Sequence, residues 1–133
     1  MSVVASLAFI DSTFREAFEL TEEARDFFTT MDGHAREHNF SSSDILLQSC
    51  EALRVTSRLT QIMAWLLVQK AVQSNEISRE KARDSQYRLC EQDVCRDENL
   101  AFEGEILPGL AELLDRSLRL YQRVSRLDSE YSR

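Results

Sequence analysis

The chain has 133 residues, 43% of them hydrophobic and 29% charged, enough apolar material for one core and too much for a disordered chain. Its formal net charge of −7 repels a phosphate backbone, so nucleic acid is excluded as an expected partner. Three Gly and one Pro leave few sharp turns, which favours long helices over a many-stranded sheet, and the expected domain is a single helical bundle spanning 1–133.

No Lys or Arg precedes Arg15 and the N-terminal apolar stretch is broken at Asp11, so a signal peptide is not expected. The longest uninterrupted apolar run, Ile62 to Val68, falls far short of the roughly 18 residues that span a membrane. Cys50, Cys90 and Cys95 form an odd set in a chain that does not need staples, which implies reduced thiols and a cytoplasmic location.

A first amphipathic helix is predicted from about Val4 to Phe28, where Leu7, Ile10, Phe14, Ala17, Ala24 and Phe28 recur at three-and-four spacing and Thr21 fills a polar slot. Residues 30–43 contain Gly33, Asn39 and a serine cluster, and read as a loop. Ser41 and Asp44 have the spacing of a capping box that opens a second helix, predicted from about Ser42 to Gln73.

Ala52, Val55, Leu59, Ile62 and Leu66 mark the core side of this second helix, but between Ile62 and Val68 apolar residues point in every direction. Something must cover both sides. The preferred explanation is a symmetric homodimer through Leu59, Ile62, Met63, Trp65 and Leu66; the alternative is that the connecting segment folds back over them.

From Ser74 to Glu105 the apolar period fades among fourteen charged residues, with Ser78 placed to cap a short helix over Arg79 to Ser85. So long a connection is a candidate for partner contact, and Tyr87 and Arg88 are its nominated residues. The last helix begins near Pro108, with Ile106, Leu113, Leu120 and Leu127 seven apart. Three amphipathic stretches without a convincing strand give an all-α fold, read as an up-down-up three-helix bundle with a long connection before the last helix.

Chemistry finds little purchase. Cys90 and Cys95 with His34 and His38 are poor zinc ligands, because the span between the cysteines lacks Gly and holds two acids. Glycines 33, 104 and 109 form no phosphate cradle, and no nucleophile has a base beside it. No catalytic residue, metal or cofactor is expected. Two charge stripes stand out instead: Glu16, Glu19, Glu23 and Asp26 on the first helix, and Arg116, Arg119, Arg123 and Arg126 on the last. They need not meet each other, and the arginine stripe is the nominated partner-binding face.

Three blocks, STFREAFELTEEARDFF, LRVTSRLTQIMAWLLVQKAV and ILPGLAELLDRSLRLYQRVSRLD, resemble in order the corresponding segments of the regulator of CtrA degradation (RcdA) family of alphaproteobacteria, also catalogued as the domain of unknown function DUF1465. The resemblance implies a dimeric three-helix bundle acting as a non-catalytic adaptor for the ClpXP protease. Its implied partners are the ClpX component, a response-regulator-like adaptor, and cargo such as CtrA. The rival expectation is an interaction or scaffold module unrelated to proteolysis.

Overall fold

The computed structural model describes residues 3–89, 93–96 and 104–131, except for the side chains of residues 3–6 and of Asp93. All regular elements among the described residues are helical: α1 (Val3–Glu37), α2 (Ser42–Gln73), a single-turn α3 (Asp93–Arg96) and α4 (Pro108–Tyr131), with two 3₁₀ turns at Lys81–Arg83 and Ser85–Tyr87.

Helix α1 runs through the segment expected as a loop. Its apolar period continues past Phe28 at Met31 and Ala35, and Ala35 is buried, so packing outweighs the roughly 1 kcal/mol that Gly33 costs a helix interior. The helix stops where Asn39 adopts φ 53°, with the Phe40 N–H donating back to the Ala35 carbonyl. Helix α2 ends the same way: Asn75 has φ 61° and the Glu76 N–H reaches the Ala71 carbonyl at 2.9 Å. Asparagine tolerates the left-handed backbone that such C-terminal caps require. At the start of α2 the expected capping box is present. Ser41 Oγ accepts from the Asp44 N–H, and the Asp44 carboxylate accepts from the Ser41 N–H, each at 3.1 Å.

The expected up-down-up course is overturned by the contacts along α2. Gln48, near its start, accepts from the Leu107 N–H and donates to the Glu105 carbonyl at the entry to α4. Midway, Arg58 reaches the Leu114 carbonyl, and near the end Trp65 donates to Asp128. The two helices therefore run in the same direction, whereas α1 opposes both: Asp11 meets Lys70, and Glu16 and Glu23 meet Arg123 and Arg116. A parallel pair needs a crossover that returns the length of the first helix. This is the structural reason for the long connection between residues 74 and 107.

Its waypoints trace the return. Arg88 is paired with Asp128 at the far end, the Cys95 carbonyl accepts from Arg58 in the middle, and Glu105 and Leu107 join Gln48 at the start. Leu89, Cys95 and Leu107 are its buried apolar plugs in a core shared with Ile10, Ala17, Leu20, Val55, Ile62 and Leu120. Gly109 sits where the first turn of α4 crosses α1, so close that a Cβ there would overlap the Phe27 ring.

Candidate interaction surfaces

The apolar run on α2 divides three ways. Ile62, Trp65 and Leu66, with Leu59 before them, are at most 5% exposed in the single chain; Met63 and Val68 are half-buried; Ala64 and Leu67 face out. The expected dimer residues Leu59, Ile62, Trp65 and Leu66 are thus buried within the core of the single chain. Of the five, Leu59 and Met63 line a surface groove. Trp65 is covered from within the chain: its ring packs against Tyr131 and its Nε1 donates to Asp128 at 2.9 Å, while Arg88 Nε approaches both oxygens of the same carboxylate at 3.0 and 3.1 Å. Helix α4 and Arg88 of the returning connection thus meet beside Trp65, whereas the Ala64 and Leu67 side of the run stays exposed.

The same pairing changes the standing of Arg88. It anchors the connection to α4 and is therefore partly committed, while neighbouring Tyr87 is half-buried. Of the arginine stripe, Arg123 pairs with Glu16, and Arg116 pairs with Glu23 at 2.6 Å and Glu112 at 3.5 Å. The acidic and basic stripes meet across the α1–α4 seam, a contact that their spacing had left open, because antiparallel helices with identically spaced charges come into register. Arg119 and Arg126 remain outward; Arg119 is 73% exposed and touches only the Asp115 carboxylate of its own helix in a pair of the weak surface kind. These two are the exposed members of the stripe.

Burial of charge on α2 was not anticipated from the sequence. Arg58 is 2% exposed, its Nε donating to the Cys95 carbonyl and one terminal nitrogen to the Leu114 carbonyl, both at 2.8 Å, and to Ser117 Oγ. Glu51 and Arg54, also buried, lie 3.4 Å apart. The signal was present: Glu51, Val55, Arg58, Ile62 and Trp65 fall on one seam at alternating spacings of four and three. Conversely, the outward face of α2 is apolar or uncharged. An open groove of about 810 Å³ separates it from α1, floored by Leu59 and bordered by Ala24, Phe28, Met63 and Leu67.

At the other end, the Ser41 backbone and hydroxyl hydrogen bonds hold the exposed Asp44 carboxyl below its ordinary range. His34 stacks on Phe27 and His38 packs against Phe40 at the end of α1. Cys50 is half-buried and Cys95 buried, both as free thiols, whereas Cys90 lies outside the described residues. Among the described residues no three His, Cys, Asp or Glu side chains stand close enough to hold a metal ion, and no helix is long and apolar enough to cross a membrane.

Comparison with known proteins agrees with the helical architecture. A search of curated proteins finds no match. Among solved structures, the crystal structure of RcdA from Caulobacter crescentus CB15 is similar at a TM-score of 0.72 and 35% sequence identity, over 92% of this chain and 89% of that one. Residues 2–133 match the model of the family described as protein of unknown function DUF1465. The chain belongs to the DUF1465 family of RcdA-like helical proteins.

Proposed function

We propose that this protein is a non-catalytic adaptor that binds cargo proteins and delivers them to a protease of the ClpXP type in the cytoplasm. The observation that carries the reading is the 35% identity to RcdA over nearly the whole of both chains, at a TM-score of 0.72. The polar architecture agrees with it: the buried Arg58 guanidinium is committed to the Cys95 and Leu114 carbonyls, and the exposed Arg119 lies on the outer face of α4. Such an adaptor works by raising the local concentration of cargo at the protease, with no bond made or broken by itself.

The ClpX component and a response-regulator-like adaptor are the proposed machinery, and a cell-cycle regulator of the CtrA type the proposed cargo. Arg119 and Arg126 are the proposed contacts, since they can be reversed without breaking the Glu16 and Glu23 pairs. The test is reconstituted degradation of candidate cargo by ClpXP with and without this protein. Faster cargo loss, reduced by Arg119→Glu/Arg126→Glu in a protein of unchanged helicity, supports the reading. Unchanged cargo half-life, with no protease component retained in a pull-down, favours an interaction module unrelated to proteolysis.

A further inference from the structure

Four threonines line the groove between α1 and α2, and they leave it drier than their side chains suggest. Each turns its hydroxyl back onto its own helix: Thr21 to the Ala17 carbonyl, Thr29 to that of Arg25 and Thr60 to that of Thr56, all at 2.8 Å, and Thr56 to that of Ala52 at 3.0 Å. No threonine therefore has a hydroxyl proton left for an occupant. Most of the remaining wall is Ala24, Phe28, Leu59, Met63, Ala64 and Leu67, and among the described residues Arg25 is the one charged side chain in the lining. Its 3.3 Å pair with adjacent Asp26 joins side chains that are 70% and 74% exposed, a weak surface contact that another anion can replace.

The groove has a polar end and an apolar end. Because α1 and α2 are antiparallel, with Asp11 beside Lys70, Arg25 and Thr29 lie at the level of Thr56, and Leu67 lies at the other end, toward Lys70. Phe14, Phe18, Thr21, Arg25 and Phe28 follow at alternating spacings of four and three, so this side of α1 continues apolar to Phe14 and Phe18, whose rings stack at 6.5 Å and of which Phe18 is 50% exposed. Arg25 to Phe14 on one wall and Thr56 to Leu67 on the other span the same interval, about 16 Å at a rise of 1.5 Å per residue. A sugar or nucleotide needs many hydrogen-bond partners and would find one donor, Arg25. A partner helix of this length occupies roughly 1,500 Å³, and would lie half outside a groove of about 810 Å³. A slender apolar chain that ends in one anionic group meets every condition: the chain is covered along its length, and the guanidinium fork takes both oxygens of a carboxylate.

We infer that the groove between α1 and α2 binds a long-chain fatty acid, its carboxylate at Arg25 and its acyl chain running past Met63 and Ala64 to Leu67. This goes beyond the adaptor reading and does not depend on it, since neither protease nor cargo takes part.

The test is isothermal titration calorimetry of the purified full chain with octanoate, decanoate and dodecanoate, and with decanol as the uncharged control. The dissociation constant for dodecanoate is expected on the order of 10 µM. Each two-carbon step should tighten binding about fourfold, less than for a fully buried chain because the groove is open on one side. Arg25→Gln is expected to weaken every carboxylate about fivefold and to leave decanol unchanged, and Ala64→Glu to abolish binding of both with unchanged helicity. A measurement on the wild type serves if that variant fails to fold: Met63 lines the groove and Met31 does not, so methionine-methyl NMR should show the Met63 signal move on adding dodecanoate while that of Met31 stays. The absence of saturable binding up to about 1 mM, which would give the groove to a protein partner, overturns the inference. So does an affinity independent of chain length or unchanged in Arg25→Gln, or a shift at Met31 in place of Met63.

Discussion

The two faces of α2 are built from the wrong residues for a simple solvent rule. Its inward face holds Glu51, Arg54 and Arg58 among leucines and valines, and its outward face presents Leu46, Leu53 and Leu67. The inward Arg58 is tolerated because the Cys95 and Leu114 carbonyls at the middle of the bundle both accept from its guanidinium, while Glu51 and Arg54 lie paired with each other. The outward leucines have no such internal explanation. What the comparison teaches is that burial follows from which backbone groups need partners and which neighbours are present, and hydropathy is only one contributor.

Arg58→Met breaks the inward face most directly. It removes the donor to the Cys95 carbonyl and one of the donors to the Leu114 carbonyl, and is expected to cost about 3 kcal/mol in urea unfolding followed by the fluorescence of the single tryptophan. A loss under about 1 kcal/mol would mean that the clamp is dispensable. Gly109→Ala tests the crossing that sets the start of α4. The added methyl overlaps Phe27, for an expected loss of about 2 kcal/mol, and Phe27→Leu in the same chain should recover part of it if the clash is the cause.

Smaller effects sharpen the picture at the ends of the helices. Trp65→Phe keeps an aromatic ring against Tyr131 but removes the donor to Asp128, for about 1–2 kcal/mol in a thermal melt followed by circular dichroism. At the cap, the carboxyl of Asp44 is held below its ordinary value of 3.8, so its contribution to stability is present above that pH and is lost as pH falls through the lowered folded value. Asp44→Asn should therefore be less stable than wild type at pH 6, and the difference should vanish in acid denaturation below the folded value. Arg119→Glu, at an exposed site with a weak surface pair, should leave stability within about 0.5 kcal/mol, which makes it a clean probe of partner binding.

Local signals were legible wherever one stretch of chain decides its own structure. The span Ser42–Gln73, the capping box at Ser41 and Asp44, the start of α4 at Pro108 and the seven-residue spacing of Leu113, Leu120 and Leu127 all follow from periodicity and cap chemistry. Helix α1 was read too short because Gly33 was given more weight than the continuing Met31 and Ala35 period.

The paired stripes, the buried Arg58 and the cover over Trp65 were not legible, since each depends on which helices lie side by side and in which direction. Identical spacing in Glu16, Glu23, Arg116 and Arg123 is compatible with contact or with separation until α1 and α4 are placed antiparallel. By itself, then, the sequence determined that three long helices form, the capping box at Ser41 and the family, because these rest on interactions within a few turns or on resemblance along the chain. The tertiary structure decided the parallel course of α2 and α4, the burial of charge between them and the exposure of α2's leucines, because only packing of distant segments assigns each face of a helix its neighbour.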